Sequence, residues 1–76
     1  MEYFSFEFTA KTDNVDKFED ELFENGCRDA TVIIQGGQLI VSFDREERNY
    51  KKATDKARAE IEAAGAKIVS GPHQIY

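Results

Sequence analysis

Alternating phenylalanines in the first segment, a two-glycine hairpin in the middle and an amphipathic helix on each side of it predict an α+β fold. The order β-α-β-β-α-β is the ferredoxin-like split βαβ arrangement, an antiparallel four-stranded sheet with two helices on one face. Residues 1–76 are read as one domain, with 71–76 as a short C-terminal tail, since a chain this short cannot divide its core.

"EYFSFEFTA" has period two, which sets Phe4, Phe6 and Phe8 on one face and Tyr3, Ser5, Glu7 and Thr9 on the other. A helix follows, capped by Asp13 or Asn14, with Val15, Phe18 and Leu22 on one stripe, Phe23 beside them and Gly26 at its end. In "ATVIIQGGQLIVSFD" two β-rich runs flank Gly36-Gly37, which suits a type I′ turn and pairs Gln35 with Gln38, Ile34 with Leu39 and Val32 with Val41. One face of this hairpin, Val32, Ile34, Leu39, Val41 and Phe43, is expected in the core. The other, Thr31, Ile33, Gln35, Gln38, Ile40 and Ser42, is mostly open. From about Asn49 to Ala64 a second helix carries Tyr50, Ala53, Ala57, Ile61 and Ala64 on one stripe and closes at Gly65. "AKIVS" reads as a short last strand and Gly71-Pro72 as a turn. Right-handed crossovers place both helices on the Phe4/Phe6/Phe8 face.

The first residues show no secretory pattern and no window approaches a membrane span, so a soluble, cytoplasmic protein is expected. The lone Cys27 excludes an internal disulfide and fits a reducing compartment. Net charge is −5, and its distribution is uneven. Residues 1–29 hold nine acidic against three basic side chains, and residues 30–76 hold six against seven. The acidity argues against direct contact with nucleic acid or an anionic membrane, and points to a basic partner.

The familiar chemistries of this fold are missing from the residues. RNA-binding relatives stack bases on aromatics of the open face, whereas the strand phenylalanines here point inward. Metal carriers place Cys-x-x-Cys after the first strand, where this chain has "AKTD". Neither a glycine-rich anion loop with its arginine nor a glycine in the loop after the first strand is present, which speaks against acylphosphatase-like and amino-acid-binding sites. His73, the sole histidine, has no Ser or Cys partner assignable from sequence, and no carboxylate shows a pocket that would raise its pKa. The expectation is a non-enzymatic protein with no cofactor and no metal, a monomer.

The unusual feature is "DNVDKFEDELFENG", six carboxylates against one lysine. On a helical wheel Asp16, Asp20 and Glu24 form a row at i, i+4 and i+8 opposite the apolar stripe, with Asp13 and Glu21 beside it. Glu19 lies between Val15 and Phe23, outside the row. Like charges at this spacing cost a few tenths of a kcal/mol per pair, and the plain alternative is a solvated face that keeps a small protein soluble. The second helix has the mixed pattern that solubility alone requires. Asp13, Asp16, Asp20, Glu21 and Glu24 are therefore the candidate partner-binding residues, a row of carboxylates able to imitate phosphates in a Lys/Arg groove.

"LFENGCRDATV", "GGQLIVSFDRE" and "ATDKARAEIEAAGAKIV" resemble a family of small bacterial and mobile-element proteins. Its marks are a Gly-Cys-x-Asp-Ala turn, a Phe-x-Arg-Glu end to the third strand and an Ala-rich second helix. Gly26, Cys27, Asp29, Ala30, Phe43, Arg45 and Glu46 carry the match and are read as structural, with Asp29 and Arg45 as turn and ion-pair partners. Some members look like phage anti-CRISPR proteins, small acidic inhibitors of type I effector complexes. That resemblance implies a DNA mimic acting on a CRISPR effector subunit of a Cascade-type complex. The alternatives are a regulatory or ligand-sensing domain dimerising through Tyr3, Ile33 and Ile40, and an accessory or antitoxin-like protein of a mobile element.

Overall fold

The elements follow the expected order: β1 (Glu2–Lys11), α1 (Val15–Glu24), β2 (Ala30–Gln35), β3 (Gln38–Glu47), α2 (Tyr50–Ala63) and β4 (Lys67–Gln74). This is a computed structural model and describes residues 2–26 and 29–75. The strands form one antiparallel sheet in the order β2-β3-β1-β4, and the fold is ferredoxin-like.

β1 is central because its alternating phenylalanines have the most apolar area to cover. Phe6 and Phe8 are fully buried, and Phe6 stacks on Phe43 with ring centroids 5.4 Å apart. The alanine stripe of α2, Ala53 and Ala57 with Ile61, continued by Ala64 at its C-cap, lets that helix lie close on the sheet, while α1 contributes Phe18 and Leu22. Both helices start at asparagine caps. The Asn14 side chain accepts from the Lys17 amide at 3.2 Å and that of Asn49 from the Lys52 amide at 2.8 Å. The hairpin keeps the expected register, with Gly36 and Gly37 at φ +58° and +79°, as a type I′ turn requires.

Two expectations are corrected. The segment from Gly71 is strand rather than tail: β4 continues through the cis Gly71-Pro72 bond to Gln74, and the Ile75 amide donates to the Ser5 carbonyl at 2.9 Å. The outward backbone groups of β1 need partners along its length, and shifts of register at Glu7/Thr9 and Thr9/Ala10 absorb the irregular residues as bulges. Gly71 has φ +115°, and a β-carbon there would stand 2.9 Å from the Glu7 carbonyl oxygen. Ile34 lies on the expected face yet is 58% exposed. It sits beside the hairpin tip on the edge strand, where Ala30 and Val32 pack on the core and Ile34 does not.

Candidate partner-binding surface

α1 forms despite its charge because Phe18 and Leu22 are buried and Val15 is partly so, which outweighs repulsion of a few tenths of a kcal/mol per pair. Asp16, Asp20 and Glu24 are exposed on the opposite side, each about 6 Å along the axis from the next. Asp16 lies in the first turn, where the helix dipole favours it, and no basic residue occupies the last turn. Among the described residues the ion pairs fall elsewhere: Arg45 with Asp29 and Glu60, Lys51 with Asp55, and Lys56 with Glu47. Four carboxylates outside α1 are thus matched to a basic side chain, whereas the row on α1 stands exposed to solvent.

The other two expected site residues diverge from this row. Asp13 precedes the cap and lines a shallow depression with Lys11, Glu62 and Lys67. Glu21 turns toward α2, its Oε2 lying 3.6 Å from the position of a β-carbon on Gly65. Glu19 is exposed, and with Asp20 and Phe23 it walls a groove between α1 and β2 floored by Ala30 and Val32. No local pattern marks this groove, since it depends on how α1 lies over the edge strand.

The expected pairing of Asp29 with Arg45 is present and is forked, Nε to Oδ2 and Nη2 to Oδ1, both 2.8 Å. Glu60 of α2 is a third member, its Oε2 2.8 Å from Nη2, and the guanidinium lies 5.0 Å over the Phe43 ring. Its hydrogen bonds to Asp29, opposed by burial and reinforced by Glu60, raise the Arg45 pKa above its ordinary value. This cluster ties the β2 entry, β3 and α2 together. Cys27, read from sequence as structural, lies outside the described residues. At the far end of β3, Glu47 accepts from Lys56 at 2.7 Å and from the Arg48 amide at 2.9 Å, which lower its pKa.

Polar side chains on the open sheet face form small separate contacts. Ser42 lies 3.5 Å from Glu7, Ser5 donates to Asp44 at 3.1 Å, and His73 Nε2 stands 3.2 Å from Ser70 Oγ. Ser70 is the neighbour that sequence spacing could not assign, because the bulge in β4 creates the approach. Both residues are exposed, and among the described residues no carboxylate accepts a hydrogen bond from the imidazole. Among the described residues no group of three His, Cys, Asp or Glu is placed to hold a metal ion, and no helix is long and apolar enough to cross a membrane. No protein-family model matches the chain, and neither a curated protein nor a solved structure matches it.

Proposed function

We propose that this protein is a non-enzymatic inhibitor that docks its acidic helix on the nucleic-acid-binding surface of a basic partner protein. The observation that carries the reading is the contrast between the row on α1 and the four carboxylates that other parts of the chain hold in ion pairs. Asp16, Asp20 and Glu24 stand exposed in one row, while Asp29, Glu47, Asp55 and Glu60 are each matched to an arginine or lysine. A helix anchored by Phe18 and Leu22 holds such a row rigid, so little conformational entropy is lost when it meets a groove of Lys and Arg. Complementary charge then speeds encounter and excludes nucleic acid from the same groove.

The resemblance to small acidic anti-CRISPR proteins gives the proposal its concrete form, a phage protein that blocks DNA binding by a type I effector complex inside the bacterial host. The test is a pull-down of purified effector subunits by the wild type and by a variant carrying Asp16→Asn, Asp20→Asn and Glu24→Gln. The wild type should retain a subunit and release it as salt is raised, because screening shortens the reach of exposed charges to about 8 Å at 0.15 M. Equal retention of the neutralised variant would remove the phosphate-mimic reading.

A further inference from the structure

Sheets normally blunt their edges with charge, proline or bulges, and the two edges of this sheet differ in that respect. β4 carries Lys67, Pro72 and two shifts of register. β2, "ATVIIQ", has no charge and no proline, and all six of its residues pair with β3 in unbroken register. Ile33 and Ile34, on opposite faces of that edge, are 50% and 58% exposed.

The backbone of β2 is correctly set for a further strand. The two-residue loop closes on Gln35 and Gln38 as a hydrogen-bonded pair. Alternation from there turns the N–H and C=O groups of Ile33 and Thr31 toward β3 and those of Ile34, Val32 and Ala30 away from it. The same alternation reaches Asp29, whose carbonyl accepts from the Asp44 amide at 3.4 Å. The outer rim therefore presents the donors and acceptors of Ala30, Val32 and Ile34.

We propose that β2 is a docking edge for an extended basic segment of a partner protein, which adds to the sheet as a further strand. Charge selects this occupant. Along one flank of the edge runs the groove in which Glu19 and Asp20 stand beside Ala30 and Val32. Arginines at alternate positions of an incoming strand lay their stems along Val32 and bring their guanidinium groups to those carboxylates. The intervening β-branched residues fall beside Ile33 on the open face. A second copy of this chain would instead bring its own Glu19 and Asp20 toward the first pair. A pairing six residues long is also small against the roughly 1,200 Å² that a stable interface buries. The inference goes beyond the charged row of α1, because strand addition supplies register and backbone hydrogen bonds that charge alone does not.

The test uses an end-blocked peptide of alternating arginine and valine, matched in length to β2 and titrated into the isotope-labelled protein. Binding should slow amide exchange at Ala30, Val32 and Ile34. N-methylation of alternate peptide amides, which keeps the charge and removes strand donors, should weaken it at least about tenfold. Val32→Pro, which removes one outward donor and leaves the β3 bonds alone, and Ile34→Lys should weaken it in the same direction. Four results would overturn the proposal: no binding, equal binding of the N-methylated peptide, equal binding of a glutamate/valine peptide, or a dimer in light scattering with the β2 amides already protected. The second of these leaves the α1 reading standing, so the two claims fail separately.

Discussion

Replacing Arg45 with methionine keeps the stem over Phe43 and removes the forked donor that joins Asp29 to Glu60. The Arg45 side chain is 11% exposed, against 36% for Asp29 and 23% for Glu60, so Asp29 can rehydrate and Glu60 only in part. Oε2 of Glu60 is buried and its contact is the Arg45 guanidinium, so the substitution strands a mostly covered carboxylate. Removing one partner of a fully buried pair costs about 3–5 kcal/mol, and the partial exposure of both carboxylates brings this to about 2–3 kcal/mol. A chain of 76 residues has roughly 4–11 kcal/mol in total, so the loss is a large share. Tm should fall by about 10–20 °C. Urea denaturation followed by circular dichroism should show a lower midpoint at unchanged m. In a cycle with Glu60→Gln the two losses should fall short of additive by about 1 kcal/mol. A cost for Arg45→Met below about 0.5 kcal/mol, or strict additivity, would refute the reasoning that this cluster holds the β2 entry to α2.

Three further outcomes are expected. Glu47 has its pKa lowered in the fold by Lys56, so its contribution is fully present above the ordinary glutamate range and is lost as pH falls through the lowered folded value; Lys56→Met should flatten that part of the acid limb of a stability-against-pH curve. Asp20→Asn with Glu24→Gln, which relieves like charges spaced four apart, should stabilise the protein by about 0.5 kcal/mol at low salt and by nothing measurable near 1 M, read as a difference in urea midpoint. Gly71→Ala forces a β-carbon to within 2.9–3.0 Å of Glu7 and Phe8 at φ +115°, and should cost about 2 kcal/mol or more in the same assay.

Most of the fold was legible because its signals are local. Period two in "EYFSFEFTA", the Gly36-Gly37 turn and the stripes Phe18/Leu22 and Ala53/Ala57/Ile61 each name an element without reference to the others. The continuation of β4 past Gly71-Pro72 was hidden, since glycine and proline mark turns locally and only the unpaired edge of β1 draws that segment into the sheet. Exposure of Ile34 was hidden for a related reason: alternation assigns a face, and coverage of that face depends on where the helices end. The acidic row was visible on a wheel, as were its apolar anchors. The separation of Glu21 and Asp13 from it, the third member of the Arg45 cluster and the groove beneath Glu19 all depend on the relative placement of elements distant in sequence.

The most direct test of the acidic-helix reading is competition for DNA on a purified type I effector complex. Target-DNA affinity is measured in the presence of the wild type and of the variant carrying Asp16→Asn, Asp20→Asn and Glu24→Gln. Wild type should raise the apparent Kd for DNA. The neutralised variant, folded to the same circular dichroism spectrum, should need at least about tenfold more protein for the same effect, since three interfacial charges are lost. Equal competition by the two proteins, or none by either, would contradict the account.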